Sequence, residues 1–399
     1  MNKLLNIIHP HPSKDISDKI GGKESYINMT VGNPNFNLPE KLLNSLKATI
    51  ESNDSTLNKY ADSRGFYPLR TAIAERYKIK YNIKLQPNNQ ILATNGCAEA
   101  IWLTIFTATN IGDEVIIPDP CYMLYEPIVI SLGRLPVRSV TSHLNRFELD
   151  VDDILKCITP KTKLIIINTP CNPTGTVYTL ETLKKLYQII VEKDIYLMQD
   201  EVFDDFIFTG QSHIPIIKFC DNMHNLIVVN SFSKRLGITG WRVGWLVASE
   251  KFTAQALKAH TYNCLAVNTL IQTALAEVMN DQEVINTTKS NVSLLEKKLT
   301  RFFSSLQEID GFELDKAPNS GMYLFPNIST LYKKIPNSYQ NNSVSESVAN
   351  FILDKTRVAV VPGTAFGKAG ENHIRISITG SEESLLEAIE RLNTQLQYV

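Results

Sequence analysis

The chain has 399 residues, 43% hydrophobic and 20% charged, a globular balance that excludes a disordered tail protein or a collagen-like repeat. Lys and Arg number 40 against 41 Asp and Glu, which leaves no basic footprint for DNA or RNA. The six cysteines, at positions 97, 121, 157, 171, 220 and 264, form no Cys-x-x-Cys pair and read as free thiols of a reducing, cytoplasmic compartment.

In chain order, residues 1–30 read as an irregular N-terminal arm. Its apolar patch, Leu4 to Ile8, is closed by His9 and Pro10 too early for a signal-peptide core. No run of about 18 apolar residues follows that could span a membrane. Pro39–Ile50 is predicted helical, with Leu42, Leu43, Leu46 and Ile50 on one face. Short aliphatic runs come next, at Gln90–Thr94, Glu114–Pro118, Lys163–Asn168, Ile195–Gln199, Leu226–Asn230 and Trp245–Ala248. Runs apolar on both faces predict buried strands of a largely parallel sheet. Between them lie helical patterns, as in Leu180, Leu183, Leu186 and Ile190. The alternation predicts an α/β class with a sheet sandwiched by helices.

The C-terminal part reads differently. A long amphipathic helix is predicted over Val284–Ile309, then short strands at Gly321–Pro326, Val358–Val361 and Ile374–Ile378, and a last helix from Glu382 to about Gln397. The polar stretch Lys333–Ser345 reads as a surface loop. The expected organisation is therefore an arm (1–30), a large α/β domain (51–283) and a smaller α+β domain built from both termini (31–50 and 284–399).

Several motifs are absent. No G-x-G-x-x-G follows a strand, no H-E-x-x-H spacing holds a metal, and no G-x-S-x-G elbow is present. The run from Gly363 to Ala369 looks like a phosphate loop but is one residue short, with Ala369 where a magnesium-binding hydroxyl would stand. No metal site is expected.

The segment Ser231-Phe-Ser233-Lys234 through Arg242 and Gly244 directly follows the strand at Leu226. A lysine at a strand end, desolvated by its surroundings, has a depressed pKa and can act as nucleophile or base. Neighbouring hydroxyls and a guanidinium suit a phosphate. Asp200 ends the preceding strand, so both groups face the carboxyl edge of the sheet, where α/β sites lie.

These residues resemble the class I/II aminotransferase group of fold-type I enzymes, which carry pyridoxal phosphate (PLP). The lysine segment matches that family's attachment pattern, S-x-S-K-x-x-G-x-x-G-x-R-x-G, and further blocks follow in the family's order from Gly32 to Arg375. The resemblance implies the PLP-transferase fold, with Lys234 forming a Schiff base and Asp200 pairing with the pyridinium nitrogen. It implies that Asn172, in Asn-Pro-Thr-Gly, bonds the ring oxygen and the substrate carboxylate, and that Tyr122 stacks on the ring. Gly96, Cys97 and Ala98, at a helix N-terminus, would cradle the phosphate with Ser231, Ser233 and Arg242. Tyr60 would reach the phosphate of a neighbouring subunit, which makes the protein a homodimer with shared sites. Arg375 and the backbone at Gly32 would hold the α-carboxylate.

The implied activity is transfer of an α-amino group from a free amino acid to a 2-oxo acid. One position departs from the family, which usually has Tyr three residues after the aspartate; here it is Phe203. The missing hydroxyl keeps a second reading open, a β- or γ-elimination, replacement or cyclisation. A DNA-binding PLP sensor is disfavoured, since the residues before Gly32 show no basic helix-turn-helix pattern. The residue that reads the substrate side chain is left open: Arg64, Arg134, Arg138 and Arg235 are unplaced, and Tyr122, Tyr125, Tyr262 and Tyr323 are candidates to line an aromatic or mixed pocket.

Overall fold

The computed structural model describes residues 3–21, 25–208, 212–221 and 223–396. Seven strands form the central sheet: β1 (Ile91–Thr94), β2 (Glu114–Asp119), β3 (Leu135–Val140), β4 (Thr162–Asn168), β5 (Tyr196–Asp200), β6 (Leu226–Ser231) and β7 (Gly244–Val247). Their spatial order is β1-β7-β6-β5-β4-β2-β3. All neighbours are parallel except β7, which runs antiparallel to both β1 and β6. The sheet is thus mixed and mostly parallel.

Alternation along each strand divides its side chains between two cores. Ile91, Ile116, Ile165, Leu197, Val228 and Trp245 point into one, shared with Leu69, Ile73, Leu183 and Leu186 of the helices Tyr67–Tyr81 and Leu180–Lys193. Leu92, Val115, Ile166, Met198, Ile227 and Leu246 point into the other, against helices Cys97–Ala108 and Glu250–Cys264. Full burial of both faces is why these runs carry almost no polar residues. The edge strand β3 is half-exposed and reads Leu-Pro-Val-Arg-Ser-Val, so its sequence lacks the apolar signature.

A separate core gathers the C-terminal elements. Helix Gln282–Gln307 contributes Leu295, Leu299, Phe302 and Leu306, helix Glu382–Leu396 contributes Leu385 and Leu392, and a three-stranded antiparallel sheet contributes Leu324, Ile374 and Ile376. Gln397, the expected end of the last helix, lies outside the described residues. The stretch expected as a loop over Lys333–Ser345 is helical at both ends, where it overlaps helices Ser329–Lys334 and Val344–Thr356.

Two expectations need correction. Residues 1–30 are not irregular throughout: a helix spans Pro12–Ile20, with Pro at its first turn and Gly21 left-handed at its end, and Ile27–Asn28 pairs in parallel with Val358–Ala359. The helix Glu40–Glu51, assigned with residues 31–50 to the terminal domain, buries Leu42 in the core that holds Leu69 and Ile73. Its Ser45 hydroxyl donates to the Glu277 carboxylate at 2.6 Å, which ties it to helix Thr269–Val278. The predicted apolar face holds only in part, since Leu42 is buried while Leu43 and Ile50 are exposed and Ser45 and Thr49 are buried instead.

Candidate active site

β7 enters the sheet where β1 and β6 end, with Gly244 opposite both Thr94 and Ser231. The carboxyl ends of β1, β4, β5 and β6 therefore open on one edge. A cavity of about 200 Å3 lies there, lined by Gly32, Cys97, Ala98, Tyr122, Asn172, Asp200, Ser231, Ser233, Lys234, Arg242 and Arg375 among others. These are the residues expected from sequence, apart from Gly96 and Tyr60. Gly96 adjoins the cavity at the helix start; Tyr60 is 86% exposed and lies outside it.

Asp200 is buried at the end of β5. Its carboxylate accepts from the Tyr125 hydroxyl at 2.8 Å and from the Val202 N–H at 3.0 Å, and the Cys97 thiol lies 3.9 Å away. No Lys or Arg among the described residues pairs with it, and burial pushes its pKa up to about 6. Lys234 sits in the short helix Phe232–Arg235 that leaves β6, and its Nζ donates to the Gly32 carbonyl at 2.6 Å. Burial, then the nearby Arg375 and Arg242 charges, lower its pKa to about 8.

Arg375 is buried on the small sheet with neutral partners only. It donates to the Thr30 carbonyl at 2.5 Å, to the Ser13 hydroxyl at 3.2 Å and to Asn172 Oδ1 at 3.0 Å, while its Nε has no partner. The guanidinium lies against the rings of Tyr323 and Phe366. A buried cation without an anion is costly, so the geometry prepares a place for one.

Helix Cys97–Ala108 starts at Gly96, and its first-turn N–H groups face this edge. Gly96 has φ +80°, and a Cβ there would lie 2.4 Å from Arg242 Nη2. Arg242 bridges the two loops, donating to the Asn95 carbonyl at 3.2 Å and the Thr239 carbonyl at 2.8 Å. The Ser231 hydroxyl caps the lysine helix by accepting from Ser233 N–H at 3.3 Å. The Tyr122 ring stands edge-on to Tyr125 with centroids 5.6 Å apart.

Sequence reasoning missed several lining residues. His11, Ser13 and Thr30 come from the segment read as an irregular arm. The usable signal was Pro12 at a helix start, Ile16 and Ile20 four apart, and Gly21 after them. Tyr125, which is buried beside the cavity, bonds Asp200 directly. Phe203 lines the cavity and packs edge-on to Phe206 and Tyr323 in the C-terminal core. Of the unplaced arginines, Arg138 pairs with Glu126, Arg235 with Asp205, and Arg134 with backbone carbonyls; neither these nor Arg64 line the cavity. The backbone N–H groups of Lys368 and Ala369, in the run that looks like a phosphate loop, bind the Asp119 carboxylate. Among the described residues, Glu99, His260 and Cys264 bring potential ligand atoms together, and hydrogen bonds from His260 and Cys264 to Glu99 account for that grouping.

The family model described as aminotransferase class I and II matches residues 24–392. An aspartate aminotransferase of Pyrococcus abyssi is 32% identical over 397 residues, covering 100% of this chain and 98% of the relative. An aromatic-amino-acid aminotransferase 2 of Thermococcus litoralis is likewise 32% identical over 397 residues, with the same 100% and 98% coverage. Among solved structures, an aromatic aminotransferase from Pyrococcus horikoshii superposes with a TM-score of 0.86 at 32% identity, covering 96% of this chain and 99% of that one. An aspartate aminotransferase from Thermus thermophilus with maleate gives 0.89 at 25% identity, covering 99% of each chain. In the described residues no helix is long and apolar enough to cross a membrane.

Proposed function

The chain belongs to the class I and II aminotransferases, a PLP-dependent family, and we propose that the residues gathered at the sheet edge carry its transamination as follows. The observation that supports this reading most is a pair of buried groups left uncompensated among the described residues: a carboxylate with no cation at Asp200 and a guanidinium with no anion at Arg375. Each fits one end of a cofactor–substrate pair, a cationic ring nitrogen and an α-carboxylate. The amine of Lys234 lines the same cavity.

PLP, when bound, supplies an electron-withdrawing ring that stabilises negative charge at the α carbon of an attached amino acid. Lys234 would hold it covalently. Asp200 would keep the ring nitrogen protonated, and that cation would in turn hold the carboxylate ionised against its burial. Tyr125 and Val202 fix the orientation of Asp200. The Tyr122 face would support the ring. The N–H groups of Cys97 and Ala98, with Ser231, Ser233 and Arg242 around the Gly96 turn, suit a phosphate. Arg375, Asn172 and the backbone at Gly32 would orient the substrate by its carboxylate. The Lys234 amine, its pKa lowered by burial, would serve as the base for the α proton.

The reading includes a homodimer in which Tyr60, exposed in the single chain, reaches the partner's phosphate site. It also includes a cytoplasmic, reducing location, in keeping with six cysteines that are all unpaired. The test is a single turnover of the cofactor-loaded enzyme with single amino acids and no acceptor. Transamination releases one 2-oxo acid per site and stops until a 2-oxo acid is added. Continuous release from the amino acid alone would instead assign elimination, the reading that Phe203 keeps open.

A further inference from the structure

Phe203 offers no hydroxyl to the cavity, but a second aromatic residue does. Tyr323, on the small sheet, is 4% exposed and lines the same cavity. Its hydroxyl makes no hydrogen bond among the described residues. That hydroxyl is therefore a donor left available on the cavity wall.

Its surroundings say what the acceptor would be. The hydroxyl lies against Gly32: a Cβ at that residue would fall 1.9 Å from the oxygen, so residue 32 has to be glycine for the phenol to sit there. The Gly32 carbonyl holds Lys234 Nζ at 2.6 Å. The Tyr323 ring carries the Arg375 guanidinium over its face, 4.3 Å from the centroid. Phe203 packs edge-on to that ring with centroids 6.1 Å apart, an apolar brace that fixes its plane. The free O–H therefore lies on the same cavity wall as the Lys234 amine and the Arg375 guanidinium. An acceptor beside those groups is an anion, and a phenol beside a guanidinium suits a carboxylate.

We propose that Tyr323 is a substrate-binding residue whose hydroxyl donates a hydrogen bond to the α-carboxylate held by Arg375. This rests on the transaminase reading given above. Tyr323 thereby adds a neutral donor to a carboxylate receptor otherwise made of Arg375, Asn172 and the Gly32 backbone.

The experiment uses the cofactor-loaded enzyme and Tyr323→Phe, which keeps the ring, its contact with Phe203 and its contact with Arg375. The probes are succinate and 3-phenylpropionate, carboxylates that carry no amine, with binding measured by calorimetry. Whichever of the two the wild type binds, Tyr323→Phe should bind about ten-fold more weakly, the loss of one donor to a charged acceptor. KM for the amino acid should rise with it, while kcat/KM for the corresponding amine without a carboxylate stays within two-fold. The melting midpoint serves as the folding control. Carboxylate affinity within two-fold of wild type in a folded variant overturns the proposal. So does a shifted pH titration of the cofactor's visible band with unchanged carboxylate binding, which would assign the hydroxyl to Lys234 instead. Failure of the underlying reading is seen separately: Lys234→Ala would then keep the lysine-linked absorbance band.

Discussion

Replacing Arg375 gives the sharpest test of how the site reads its substrate. In the wild type the guanidinium is 3% exposed and makes hydrogen bonds to Thr30, Ser13 and Asn172, all neutral. A substrate carboxylate would be its only anionic partner among the groups described there. Arg375→Ala leaves that carboxylate buried and unpaired, a loss of about 2–5 kcal/mol. At about 1.4 kcal/mol per decade, kcat/KM for an α-amino acid should fall about 30- to 4000-fold. Arg375→Lys keeps the charge but not the fork, and should cost about ten- to 100-fold. The assay compares each amino acid with the amine that lacks its carboxylate. For the amine the same variants should lose less than about ten-fold, the part due to freeing Asn172. An equal fall for acid and amine, with the cofactor's absorbance retained, would refute the reasoning. It would make Arg375 a support for Asn172 rather than a carboxylate site.

Asp200→Asn removes the charge that would hold a proton on the ring nitrogen, and kcat should drop at least about 100-fold, the scale of a broken buried ion pair; stopped-flow of a half-reaction measures it. In the apo protein the Lys234 amine becomes neutral as pH rises through about 8, so the rate of cofactor attachment should climb about ten-fold per pH unit below that value and level off above it. A plateau only near 10.5, the ordinary lysine value, would contradict the burial argument. Tyr60→Phe should weaken cofactor retention about ten- to 100-fold, measured by dialysis, if that exposed phenol meets a partner's phosphate site. Leu42→Ala should lower stability by about 2–5 kcal/mol in denaturant unfolding, because the side chain is fully buried in the core with Leu69 and Ile73.

The legible parts of this protein are those whose residues answer to local rules. Strands buried on both faces must be apolar throughout, so β1, β2, β4, β5, β6 and β7 could be read within a residue or two of their ends. β3, with one edge in solvent, carries no such constraint and went unread. Site residues at strand ends were legible because chemistry restricts their types: a lysine, an aspartate and small or hydroxyl residues around a phosphate. His11 and Ser13 obey no such restriction, and Tyr323 stands out in the sequence only as one of four tyrosines able to line a pocket. They reach the cavity from a nine-residue polar helix and from a two-residue strand, where neither spacing nor composition marks a function.

Periodicity was enough to predict an α/β sheet, and motif chemistry together with the family resemblance to name the lysine, the aspartate and the arginine proposed to act at its carboxyl edge. Long-range packing decided the rest. It put Leu42 with the large core rather than the terminal one, laid the N-terminal helix across the site, and turned the Tyr323 hydroxyl toward Gly32. The physical reason is the same in each case: hydrophobic burial is non-directional, so an apolar face specifies that it must be covered, while the covering element is chosen by the geometry of the whole chain.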